Sequence, residues 1–155
     1  MIDSTGTPKV IEYNCRFGDP ETQPIMMRMQ SDLVDLCLAV FDESGLAGKT
    51  AQWDSRAAIG VVLAAGGYPE SYNKGDVITL PQAEADNEKV FHAGTKLNAA
   101  GEVTTNGGRV LCATALGNTV TEAQQQAYAL TKKISWKDYF YRTDIAYRAI
   151  ARENS

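Results

Sequence analysis

Glu12-Tyr13-Asn14-Cys15-Arg16-Phe17-Gly18-Asp19-Pro20-Glu21-Thr22-Gln23 sets a carboxylate, an amide oxygen and a guanidinium at alternate positions. Val10 and Ile11 just before it are β-branched, so residues 9–16 are predicted as a strand, whose side chains alternate between faces. Glu12, Asn14 and Arg16 then share one face; Tyr13, Cys15 and Phe17 share the other. Two hard oxygen donors beside a permanent cation suit Mg²⁺ held among phosphates and charge building on a transferred phosphoryl group. The polar face of an ordinary amphipathic strand has the same spacing, and short motifs match by chance often.

Around this stretch the pattern is α+β. Residues 1–18 are predicted as a hairpin turning through Ser4-Thr5-Gly6-Thr7-Pro8. Asp19-Pro20 ends the strand, and Pro24 fits the first turn of a helix, where a missing N–H is no loss. Ile25, Met26, Met29, Leu33, Leu36, Cys37 and Val40 predict one helix from Ile25 to about Phe41, packed on a broad face. The methionines are read as core rather than as a soft binding groove. Glu43–Lys49 is a Gly- and Ser-containing linker.

Beyond it the character changes. Ala57–Ala65, Asp76–Leu80, Lys89–Ala93 and Arg109–Leu116 are short β-rich runs separated by turn sequences that include Asn98-Ala99-Ala100-Gly101. Thr119-Val120-Thr121-Glu122 has the form of a capping box opening a helix to about Ile134, and a shorter helix is expected over Asp144–Arg152. Strands grouped before helices favour α+β over a wound parallel sheet. The expected boundary falls near Gln52 or Trp53, giving regions 1–52 and 53–155.

Composition narrows the class. The 155 residues are 44% hydrophobic and 22% charged, with formal net charge −4, which argues against a dedicated nucleic-acid binder. No apolar run is long enough to span a bilayer and no signal-peptide pattern opens the chain. Cys15, Cys37 and Cys112 have no Cys-x-x-Cys pairing and are read as free buried thiols of a reducing cytoplasm.

The string Arg16-Phe17-Gly18-Asp19-Pro20-Glu21-Thr22-Gln23, with Ala64-Ala65-Gly66-Gly67-Tyr68-Pro69, Phe91-His92-Ala93-Gly94-Thr95 and Thr105-Asn106-Gly107-Gly108-Arg109-Val110-Leu111, resembles the phosphoribosylamine–glycine ligases of the ATP-grasp superfamily. The resemblance runs through essentially the whole chain. It implies the C-terminal part of a longer enzyme: a closing hairpin and helix of an ATP-grasp domain, then a small antiparallel β-rich domain with helices. It implies ATP as co-substrate, Mg²⁺ or Mn²⁺ as the metal, and glycine and 5-phosphoribosylamine as the molecules joined. Nucleotide-binding elements would lie in the preceding part, so the isolated chain is expected to be inactive and, with uncovered apolar side chains, able to self-associate.

Residue by residue, the resemblance puts the metal on Glu12 and Asn14 and makes Arg16 the catalytic arginine beside an acyl phosphate. An ion pair of Arg16 with Asp19 or Glu21 that merely shapes the loop is the alternative. Gly18 and Asp19 are candidates for the glycine site, although Asp19-Pro20 is also an ordinary helix entry. Lys96 and Arg109 are candidates for the sugar phosphate, with Gly107-Gly108 allowing backbone to approach an anion. His92, the sole histidine, is read as structurally hydrogen-bonded rather than as a general base. Gly66-Gly67 lacks the pattern of a Walker loop. Another ATP-grasp carboxylate–amine ligase or carboxylase, or a non-catalytic structural module, stays open.

Overall fold

The computed structural model describes residues 3–11 and 16–154. Helices α1 (Thr22–Arg28) and α2 (Leu33–Ala39) come first. They are followed by β1 (Ala57–Ala64), β2 (Glu88–His92), β3 (Thr95–Leu97), β4 (Val103–Thr105) and β5 (Arg109–Gly117), then α3 (Val120–Thr131) and α4 (Tyr147–Glu153). The fold is α+β. An antiparallel sheet runs in the order β1-β5-β2, and β3 and β4 form a separate antiparallel hairpin.

β5 is central, paired on both sides, and every residue from Val110 to Gly117 is buried. Along β1 the faces separate. Val61 joins Ala115 and Ala127, and Leu63 joins Leu111, Leu130 and Ile134, all towards α3. Gly60 and Val62 point the other way by alternation, towards α1, where Pro24 Cγ lies 3.2 Å from where a Gly60 Cβ would stand. The sheet is therefore packed between α1 and α3.

α3 begins as expected. The Thr119 hydroxyl accepts from the Glu122 N–H at 3.0 Å, and the Glu122 carboxylate accepts from the Asn118 N–H at 2.7 Å. The helix stops at Thr131, short of Ile134. Bonds from Lys133 N–H to Leu130 O and from Ile134 N–H to Thr131 O tighten its end. Ser135 then pairs with Thr79, which draws the backbone out of the helix while Ile134 stays fully buried.

Several expectations are corrected. The single helix over Ile25–Phe41 is two helices, because Arg28 and Gln30 pair with Asp54 and Gln52 (Asp54 N–H to Arg28 O, 2.7 Å; Gln30 N–H to Gln52 O, 2.9 Å) and Met29 turns extended. Asp32 restarts the helix by accepting from the Val34 N–H at 2.7 Å. The broad buried face is also lost: Val34, Leu38 and Phe41 are 62%, 60% and 87% exposed. Cys37 is exposed, on that same helix; Cys112 is buried as expected, and Cys15 lies outside the described residues.

Asp76–Leu80 is not a strand. Val77 bridges Thr104 while Thr79 bridges Ser135, so the segment changes partners before a ladder can form. Residues 12–15 of the strand expected over 9–16 lie outside the described residues; its described ends, 9–11 and Arg16, are not in a strand, and Val10 and Ile11 are 69% and 68% exposed. Its preceding turn is present: Asp3 Oδ1 accepts from the N–H groups of Thr5 and Thr7 at 2.9 and 3.0 Å.

The remaining runs, β1, β2, β5 and α4, lie within a few residues of their expected limits. β3 and β4, joined by the expected Asn98–Gly101 turn, are added to them. There Asn98 Oδ1 accepts from the N–H groups of Ala100 and Glu102, both at 2.9 Å, and Gly101 takes φ +80°.

Candidate functional site

Asp19 and Arg109, singled out separately in the sequence, meet. Arg109 begins β5, where its backbone carbonyl receives the Gly94 N–H at 3.0 Å. Its Nη1 donates to the Asp19 carbonyl at 2.9 Å, and its Nε is 3.5 Å from the Asp19 carboxylate. Pro20 follows at once and shares with Gly60, Val62, Arg109, Arg142 and Ile145 the wall of a cavity of about 270 Å³. Arg142 attracted no attention in the sequence; an arginine in a polar C-terminal stretch carries no local signal of where its side chain will point.

The other candidates sit at varying distance from this centre. The Gly18 carbonyl is occupied at the start of α1, accepting from Thr22 Oγ1 at 2.6 Å and from the Thr22 N–H at 3.2 Å. A helix-entry role is thus visible for Gly18. Arg16 donates from Nη1 to the Phe17 carbonyl at 2.9 Å, and among the described residues it forms no ion pair with Asp19 or Glu21. Glu12 and Asn14 lie outside the described residues.

Lys96 stands exposed on β3 and is not part of the Arg109 cavity wall. His92 Nδ1 is 3.1 Å from Thr95 Oγ1, the structural hydrogen bond expected of it. Gly107 and Gly108 serve chain packing: a Cβ on Gly107 would come 2.9 Å from the Gly94 Cα, and one on Gly108 would collide with the Tyr68 ring.

Electrostatically the cavity has its acids tied to its bases. Arg142 donates from Nε and Nη2 to the two Asp144 carboxylate oxygens at 2.9 and 2.7 Å, which holds the Asp144 carboxyl below its ordinary range. Beneath, burial pushes the Cys112 thiol up, so it stays protonated and unreactive. Among the described residues no group of three or more His, Cys, Asp or Glu is placed to hold a metal ion. No helix among them is long and apolar enough to cross a membrane.

An α+β domain with a two-arginine cavity at its sheet edge is thus the class that fold and site define. The model of the phosphoribosylglycinamide synthetase C domain matches residues 58–148, and the chain belongs to that family. It is 72% identical over 154 residues to a phosphoribosylamine–glycine ligase of Vibrio parahaemolyticus, covering 99% of this chain and 35% of that protein. Against the enzyme of the same name from Escherichia coli K12 the identity is 65% over 156 residues, covering 100% and 36%. The crystal structure of phosphoribosylamine–glycine ligase from Thermotoga maritima superposes with a TM-score of 0.72 at 36% identity, over 93% of this chain and 34% of that one. The chain spans about a third of the length of the curated relatives it matches.

Proposed function

We propose that the chain is the C-terminal part of a cytoplasmic, ATP-dependent ligase of purine synthesis that joins glycine to 5-phosphoribosylamine. Its identity of 72% to a relative of that name, over 99% of its own length, carries this reading. In it, residues 1–52 close the ATP-grasp domain and residues 53–155 form the C-terminal domain.

The glycine carboxylate attacks the γ-phosphorus of ATP, forming glycyl phosphate and expelling ADP. The amine of phosphoribosylamine then attacks the acyl carbon; phosphate leaves, the nitrogen loses a proton and the amide remains. Both steps gather negative charge, and the acyl phosphate must be kept from water.

Glu12 and Asn14 offer hard oxygen donors fitted to Mg²⁺ or Mn²⁺, which would neutralise charge on the nucleotide phosphates. Arg16 faces the acyl phosphate, where a planar guanidinium can pair with two oxygens at once. Gly18 and Asp19 shape the glycine side of the site. Arg109 and, from the neighbouring hairpin, Lys96 hold the sugar phosphate. The Arg109–Asp19 contact supports this division, since it ties the loop after the metal-binding stretch to the first residue of β5.

The test is ADP release by the full-length polypeptide carrying this chain. Release that needs both glycine and phosphoribosylamine is expected; release indifferent to phosphoribosylamine would sink the assignment.

A further inference from the structure

Helix α3 opens with two backbone donors that its own cap leaves unmet. The Thr119 hydroxyl takes the Glu122 N–H, and the Thr119 carbonyl takes the Ala123 N–H, both at 3.0 Å. The N–H groups of Val120 and Thr121 come too early to find a carbonyl within the helix. Both go to Glu153 at the end of α4, 33 and 32 positions away. Val120 N–H reaches Oε1 at 2.7 Å, and Thr121 N–H reaches Oε2 at 3.1 Å. The Thr121 hydroxyl donates to the same Oε2 at 3.1 Å. A carboxylate suits the positive end of the α3 dipole, and the Val120 N–H above all holds the Glu153 carboxyl below its ordinary range.

α4 brings little packing of its own to this contact. None of its seven residues is buried; Ala149 and Ile150 are half-buried, and Tyr147 is 53% exposed. Its N-cap, Ala146, supplies no side-chain acceptor and sits at φ +68°, in the left-handed region that a Cβ disfavours. A helix this short does not hold itself together in water. The chain just before Ala146 is fixed independently of α4. The Arg142 carbonyl accepts from the Tyr128 hydroxyl at 2.8 Å, whose oxygen accepts from the Ile145 N–H at 3.1 Å. Gln124 Nε2 donates to the Ile145 carbonyl at 2.7 Å. An anchored residue, a left-handed residue, a short helix and a carboxylate clamp thus follow one another along the chain.

We propose that α4 is a C-terminal strap, hinged at Ala146 and latched by Glu153 on the first turn of α3, which opens and unwinds as a unit while the sheet stays folded. Its closure decides whether the first turn of α3 is covered or presented to solvent. In the open state water takes over the Val120 and Thr121 donors, so release leaves no buried group unmet. Ala149 and Ile150 lose their cover at the same time. The loop 142–145 does not follow, and the cavity keeps the wall that Arg142 and Ile145 give it. Opening confined to such a segment costs less than unfolding the domain.

The test is amide hydrogen exchange over the full 155-residue chain, read by nuclear magnetic resonance at rising, sub-denaturing urea. Relative to their intrinsic rates, residues 149–153 of the parent chain should exchange about a hundredfold or more faster than residues 110–115, and with little dependence on urea. Glu153→Ala should speed exchange of residues 149–153, and of Val120 and Thr121, by a further tenfold or about that, as expected for loss of charge-assisted bonds. Glu153→Gln, which keeps one acceptor oxygen, should do less. Rates along β5 should not move in either variant. Unchanged protection of α4 in Glu153→Ala would overturn the latch, and equal acceleration along β5 would overturn the independence of the strap. In the parent chain, exchange of α4 and β5 at one rate with one urea dependence would show that α4 opens only with the whole domain, and would overturn the proposal. That comparison decides the matter even where a variant does not fold.

Discussion

Arg109 reaches back over 90 positions to place its Nη1 2.9 Å from the Asp19 carbonyl oxygen. This bond goes to a backbone atom, and the accompanying carboxylate contact is longer, at 3.5 Å, with both side chains partly exposed. An exposed ion pair of this kind adds little stability, about 0–1 kcal/mol. Its consequence is positional: the guanidinium and the loop after the signature stretch keep a common geometry.

Asp19→Asn should therefore be mild, because the main-chain acceptor survives. Arg109→Ala should raise the KM for phosphoribosylamine in the full-length polypeptide about tenfold to a hundredfold, and that for glycine or ATP much less. Steady-state kinetics with each substrate varied in turn decides this; an equal rise for all three would point to a folding defect instead. Lys96→Ala should act in the same direction and more weakly, a flexible ammonium having no bidentate geometry.

Glu12→Gln and Asn14→Ala should each raise the Mg²⁺ concentration needed for half-maximal turnover while leaving the circular dichroism spectrum unchanged. Each removes a charge or an oxygen donor from a hard cation. Parent-level turnover at ordinary Mg²⁺ in both variants would remove these residues from the metal site.

Asp54 supplies a pH dependence. The Arg56 guanidinium and N–H hold its carboxyl down from 3.8 to about 2. A depressed folded-state value means that the pair stabilises the fold above the unfolded value and stops doing so as pH falls through the folded one. The Tm of the parent chain should thus decline between about pH 4 and pH 2 more than that of Asp54→Asn. Parallel curves for the two would show that this pair does not contribute.

Leu130 is fully buried among Leu63, Leu111 and Ile134, so Leu130→Ala should cost about 2–5 kcal/mol in urea unfolding. Thr119→Ala removes only the cap on Glu122 N–H and should cost about 1 kcal/mol. A cap variant more damaging than the core variant would contradict the placement of the core between β5 and α3.

Mg·ATP should bind the isolated chain weakly or not at all, as isothermal titration would show; micromolar affinity would mean that the nucleotide site is self-contained. Val34, Leu38 and Phe41 present an uncovered apolar stripe on and just after α2, and such patches promote association. Sedimentation of the chain should show concentration-dependent dimers that Leu38→Lys weakens.

Much of this molecule is written locally. The β-branched and apolar runs of β1, β2 and β5 read as strands from side-chain pattern alone, and the Thr119–Glu122 cap and the Asn98–Gly101 turn depend on neighbours a few residues away. The signature Arg16–Gln23 and the triplet of Glu12, Asn14 and Arg16 likewise pointed to a chemistry without any fold. The break at Met29 was not legible, because it depends on hydrogen bonds from residues 28 and 30 to 54 and 52, while the apolar periodicity runs straight through it. Nor was the pairing of Asp19 with Arg109, or the arrival of Arg142 at the same cavity. Periodicity records which face a residue takes on its own element; which distant segment meets that face is decided when the chain closes on itself, by hydrogen-bond partners and packing volume that only the tertiary fold supplies.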